Sequence, residues 1–157
     1  MKKILSMIAM VAVFGSSNVM ADCASDLTDM GLTSSMRSSA VLPYCAYTEF
    51  SSIVATAKSK GTKIISATGV TRSVHTKDGT VIKVAGTVRD GMCDNEEHGI
   101  KIHFAIIHEM YHAANPGVQS IENETKAVRN TNKLRSKTNS LQRAKYNGTV
   151  LSKVCNQ

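Results

Sequence analysis

Four cysteines, Cys23, Cys45, Cys93 and Cys155, all lie downstream of an N-terminal stretch that reads as an export signal. Lys2 and Lys3 open that stretch, and Ile4 to Phe14 form an apolar run broken only by Ser6. Val19-Met20-Ala21 then offers tolerable residues for cleavage after Ala21. The run is shorter than the ~20 residues a membrane span needs, so no transmembrane anchor is expected. Asp22, directly before Cys23, is the wrong residue for lipid attachment. Residues 1–21 are therefore read as a signal peptide and residues 22–157 as one periplasmic or secreted domain. An even cysteine count in an exported chain implies two disulfides, with three connectivities open. The spacing does not match the paired Cys-x-x-Cys pattern of a structural zinc site.

Losing 21 of 157 residues leaves 136, enough for one domain only. With 42% hydrophobic and 20% charged residues, the composition is that of an ordinary globular protein. Aromatic residues make up 4%, which argues against a stacking platform for single-stranded nucleic acid. The formal charge of +7 falls to +5 once Lys2 and Lys3 are removed. The remaining excess is concentrated at the C-terminal end, where residues 125–157 carry eight Lys and Arg and no acid.

Residues 22–46 are rich in Ser and Thr, interrupted by Gly31 and Pro43, and predict short helical turns stapled through Cys23 or Cys45. Phe50, Ile53, Val54 and Ala57 fall at helical spacing, so Thr48 to Lys60 predicts a helix stopped by Gly61. Val, Ile and Thr then dominate. Asp78-Gly79 between Val70–Lys77 and Thr80–Val88 predicts a hairpin, with Thr62–Thr68 as a third strand. After Gly91 the pattern turns helical. Asp94 or Asn95 can cap this segment, and Glu96 and Glu97 suit its first turn. It runs to about Ala114, stops at Asn115-Pro116-Gly117, and is followed by a second helix over Ser120–Lys137. A short helix or turn is expected around Gln142–Tyr146. Strands followed by helices indicate an α+β fold.

The chemistry is concentrated at His108-Glu109-Met110-Tyr111-His112, an H-E-x-x-H string. Two histidines four apart on a helix project from one face, so both imidazoles can reach a single Zn²⁺. The Glu lies beside the metal without ligating it, placed to take a proton from water and pass it to a leaving amine. A catalytic zinc normally has three protein ligands and an open position. On the second helix, Glu122, Lys126, Arg129 and Lys133 share a charged arc, while Ile121, Glu124, Val128 and Thr131 lie on the other side. Glu124 is thus an acid on an otherwise uncharged face, costly to bury unless it binds a metal or pairs with an Arg. Glu122 has a simpler role as the partner of Lys126 one turn on. His98 and His103 would need a different face from His108, and His75 reads as a hairpin side chain.

His108-Glu109-x-x-His112-Ala113, then Glu124-x-x-Ala127-Val128-x-x-x-Asn132-x-Leu134-Arg135, then Arg143-x-x-Tyr146-x-Gly148, resembles the NleD-like effector metallopeptidases of bacterial pathogens. The resemblance spans about residues 100–150. It implies a zincin-like fold and a zinc-dependent endopeptidase, in a family whose substrates include host stress-activated kinases. Those effectors carry neither a cleaved export signal nor a need for disulfides. This chain has both features, so a periplasmic or secreted protein or peptide substrate fits better than a kinase.

The expected site is therefore His108, His112 and Glu124 as zinc ligands, with Glu109 as general base and then acid. Tyr146 or Arg143 would donate to the oxyanion. Thr80–Val88 is the expected edge strand for an extended substrate. The chain is expected to act as a monomer. A competing expectation is a non-catalytic basic module for nucleic acid, lipid or an acidic protein, carried by residues 125–157. Limited aromatic interleaving there makes nucleic acid the weaker partner. A zinc-binding domain without activity is a third reading, which the intact Glu109 argues against.

Overall fold

Cys23 and Leu27 lie four residues apart, so they share one face of a helix and anchor it to the rest of the chain. In the computed structural model both are buried on α1 (Phe14–Asp29). The structure describes residues 14–69, 71–85, 102–117, 120–140, 142, 145–146 and 149–150. The apolar run Ile4 to Phe14, expected to belong to an export signal, lies outside them apart from Phe14. Val19 and Met20 are exposed at 44% and 43%, so burial along α1 begins just past the expected cleavage point.

α1 is longer than the short turns expected over 22–46. It ends before Gly31, which has a φ of +106°. A Cβ at Gly31 would sit 2.5 Å from the Ile64 carbonyl oxygen, so only glycine permits this approach. Beyond it come a 3₁₀ turn (Ser34–Met36), the short α2 (Ser38–Val41) and a second 3₁₀ turn (Leu42–Ala46). They return the chain so that Cys45 bonds Cys23. Cys93 and Cys155 lie outside the described residues.

α3 (Thr48–Ser59) buries Phe50, Val54 and Ala57, the face its spacing predicts. Lys58 clasps it to α1, with Nζ 2.7 Å from both Asp26 Oδ1 and Asp29 Oδ2. All three charges are at least partly solvated, so water screens the clasp and it orients the two helices more than it stabilises them.

The expected hairpin forms between β2 (Arg72–Thr76) and β3 (Gly79–Val84), and β1 (Lys63–Ser66) supplies the third strand. Gly79 opens β3 at φ +129°, where a Cβ would lie 2.6 Å from the Gly61 carbonyl oxygen. The order is β1-β3-β2, with β1 parallel and β2 antiparallel to β3. This corrects the edge assignment. β3 is central, because the chain passes from β1 to the far side before the hairpin folds back between them. Thr80, Ile82 and Val84 alternate inward along β3, in keeping with the period of two. The outer side of β1 is covered at Ile64, whose N–H donates to the Met30 carbonyl at 2.7 Å. The outer edge of β2 faces the next helix.

That helix, α4 (Ile102–Ala114), packs against α3, β2 and β3, burying Phe104, Ile106, Ile107, Met110 and Ala113. Its C-terminus is capped by Lys60, whose Nζ donates to the Ala114 carbonyl at 2.8 Å. The caps expected at Asp94 or Asn95, and the acids Glu96 and Glu97, lie outside the described residues. α5 (Ile121–Lys137) starts as its sequence predicts, with Ser120 Oγ accepting the Asn123 N–H at 3.2 Å. It buries Ala127, Val128, Thr131 and Leu134 and packs against α4. Ile121, on the uncharged arc with Glu124, is 56% exposed in the first turn.

The segment expected to hold a short helix or turn instead contains β4 (Lys145–Tyr146), antiparallel to β5 (Thr149–Val150). A strand of two residues is too short to show a period of two, which is why the sequence pattern misses it. The fold is α+β, stapled by one disulfide among the described residues. No described helix is long and apolar enough to cross a membrane.

Candidate metal centre

α4 presents His108 and His112 one turn apart on the side that meets α5, and α5 answers with Glu124 from its first turn. His108 Nε2 lies 3.2 Å from Glu124 Oε2, His112 Nε2 lies 3.2 Å from Glu124 Oε1, and the two Nε2 atoms are 3.2 Å apart. The three side chains are 16%, 6% and 20% exposed, so the cluster is largely buried but not closed off from solvent. Two imidazole nitrogens and a carboxylate converging on one point could hold a metal ion.

Local sequence explains the convergence. His112 is buried because Ala113 and Ala114 beside it let the helix end close to its neighbours. Glu124 can occupy a half-buried position because it lies in the first turn of α5, where the positive end of the helix dipole favours an acid. Hydrogen bonds from His108 first, then from His112, hold its carboxyl well below the usual carboxylate range despite burial. His112 moves the other way. Burial is the largest influence and pushes it down, but the Glu124 hydrogen bond and the charges of Glu124 and Glu109 together raise it above the ordinary imidazole value. No arginine takes the place of the histidines on Glu124 among the contacts of the described residues.

Glu109 does not join the cluster. Its Oε2 accepts the main-chain N–H of Ser73 on β2 at 2.7 Å. The expected general base is thus fixed between the His108–His112 turn of α4 and the edge of the sheet. A main-chain donor has no residue signature, so nothing in the sequence points to Ser73 beyond its place in a hairpin strand. The Lys60 cap was likewise unmarked, because the spacing that brings it to Ala114 is purely tertiary.

The remaining candidates separate clearly. His75 Nδ1 lies 2.9 Å from Thr80 Oγ1, which makes it a cross-strand hairpin side chain as expected. The His103 ring is stacked with Tyr44, its centroid 6.0 Å away, on a different side of α4 from His108. Glu122 pairs with Lys126 at 2.7 Å. Arg135, part of the Asn-x-Leu-Arg pattern, is buried with its guanidinium 4.3 Å from the centre of the Phe104 ring, where it supports α4 from behind. Tyr146 lies in β4, but its side chain lies outside the described part of the structure, as do His98 and Arg143.

Comparison with known proteins adds no relative: no family model matches the chain, and no curated protein or solved structure is similar to it.

Proposed function

We propose that this chain is a zincin-like, zinc-dependent endopeptidase acting on a protein or peptide substrate in the periplasm or outside the cell. One observation carries the reading: the Nε2 atoms of His108 and His112 stand 3.2 Å apart, each lies 3.2 Å from one oxygen of the Glu124 carboxylate, and Glu109 lies on the same turn as His108. A tetrahedral shell with zinc bonds of about 2.0–2.1 Å spaces neighbouring ligand atoms about 3.3 Å apart. The donor set of two histidines and a glutamate, leaving one position open, is that of a catalytic rather than a structural zinc. The likeness of residues 100–150 to NleD-like effectors points to the same chemistry, and the export signal and disulfide to an oxidising compartment.

Zinc in this site supplies a Lewis acid that polarises the scissile carbonyl and lowers the pKa of water toward about 7. The protein's own part falls first to Glu109. Its carboxylate takes a proton from the attacking water as the hydroxyl oxygen bonds to the carbonyl carbon. The same proton then passes to the amide nitrogen as the C–N bond breaks. Tyr146 or Arg143 remains the proposed oxyanion donor. The substrate strand pairs along β2, the corrected edge next to α4, rather than along β3.

The competing reading is a basic binding module. Lys126 and Lys137 are each paired with an acid, Glu122 and Glu49. What remains on that face of α5 is Arg129 and Lys133, beside a shallow depression of about 270 Å³ shared with Asn132, Ser136 and Gln142. Two exposed cations over so small a hollow suit steering of an anionic substrate better than a main function.

The deciding experiment is Glu109→Gln. The variant should retain zinc and lose cleavage of casein by at least a hundredfold. Parent-like cleavage by the variant would sink the mechanism. Binding to DNA or anionic vesicles that falls steeply with salt, without chelator-sensitive proteolysis, would favour the basic module.

A further inference from the structure

Ser73 pairs with Ile82 across β2 and β3, and Ile64 pairs with the same Ile82 from the other side. Side chains of paired residues share a face, so Ser73 turns its side chain inward with Ile82 and is itself buried. In an antiparallel pair, facing residues alternate between exchanging both main-chain hydrogen bonds and making none. Ser73 occupies a position of the second kind, because its N–H leaves the sheet at the outer edge and meets Glu109 Oε2. At 2.7 Å, a hydrogen bond to an ionised carboxylate belongs to the short, charge-assisted class.

We propose that the main-chain N–H of Ser73 is a positioning donor for the general base, holding Glu109 Oε2 and leaving Oε1 as the oxygen that takes and returns the proton. This inference rests on the hydrolase reading for its consequence, though not for the contact. A glutamate side chain has three rotatable bonds, and no other described residue hydrogen-bonds its carboxylate. The β2 amide therefore removes most of the freedom that would otherwise be lost at the moment of proton transfer. It also couples the base to the hairpin, since any shift of β2 against α4 turns the Glu109 carboxylate. The same contact withdraws the Ser73 N–H from a substrate strand. The next outward-facing amide on β2 is that of His75, two residues on.

Ser73→Pro deletes the N–H while keeping an extended backbone, at an edge position where the lost donor is not part of the sheet. Ser73→Ala keeps the amide and removes only the hydroxyl. The proline variant should show a kcat at least tenfold below that of the alanine variant, with KM and bound zinc equal in the two. Equal kcat in the two variants, both zinc-loaded, would overturn the proposal. A second measurement needs neither activity nor a folded proline variant. Amide hydrogen exchange at Ser73 in the metal-free protein should be slow in the parent and at least tenfold faster in Glu109→Ala. Exchange that stays equally slow without Glu109 would overturn the contact itself. Failure of the hydrolase reading would show separately, as a parent protein that cleaves nothing while the exchange difference persists.

Discussion

Glu124 Oε2 lies 3.2 Å from His108 Nε2 although the two residues are 16 positions apart and on different helices. The relationship makes the site a property of how α4 and α5 pack rather than of one motif. It also depresses the carboxyl of Glu124, whose other oxygen, Oε1, meets His112 and raises that imidazole.

Those directions fix a pH dependence. Glu124 titrates below its ordinary 4.5 in the folded protein, so its stabilising share is present above that value and is lost as pH falls toward the folded pKa. His112 titrates above its ordinary 6.5, so its share is complete below that value and is lost as pH rises through the folded pKa. The metal-free protein should gain most from this cluster between 4.5 and 6.5. Zinc binds the deprotonated forms of these ligands, so its stabilising effect should grow with pH. Thermal melts with and without zinc should show a larger upward shift at pH 8 than at pH 5.5. A shift that is equal, or larger in acid, would contradict the assignment.

The Cys23–Cys45 disulfide closes a separation of 22 residues and ties α1 to the segment leading into α3. Loop-closure entropy for such a ring is worth about 3 kcal/mol. Replacing both cysteines by alanine should lower the stability of the oxidised protein by roughly that amount in denaturant titration. With this pair closed, Cys93 has Cys155 as its only intramolecular partner, so peptide mapping without reductant should recover that second pair. Recovery of Cys23 bonded to Cys93 or Cys155 would contradict the arrangement.

Ser120 caps the helix that carries Glu124 in its first turn. Ser120→Ala should cost about 1 kcal/mol of stability. The same change frays the turn holding the third ligand, so zinc affinity should also fall several-fold. Ser140→Ala, at the other end and away from the site, serves as the comparison. A cap variant with lower stability and parent-like zinc affinity would show that the first turn of α5 is held by packing alone.

Much of the arrangement could be read from residue patterns. Phe50, Val54 and Ala57 marked α3, Asp78-Gly79 marked the hairpin, and Ser120 marked the start of α5, because each signal is local. Glu124 was legible because an acid on an uncharged helix face calls for an explanation. Strand order was not legible: Thr80–Val84 is central only because β1 adds on its far side in parallel, a pairing with no short-range signature. Ser73 escaped for a similar reason, since its function is carried by an amide that every non-proline residue possesses. Tyr146 reads as part of a short helix or turn because a two-residue strand is too short to show a period.

Metal content of the purified mature protein tests the central claim most directly. The parent should hold one zinc per chain, and His112→Ala and Glu124→Ala should each lose most of it after dialysis against a weak chelator. Ser140→Ala should hold as much as the parent. Undiminished zinc in Glu124→Ala would remove the third ligand, and a parent protein that binds no stoichiometric zinc would contradict the account as a whole.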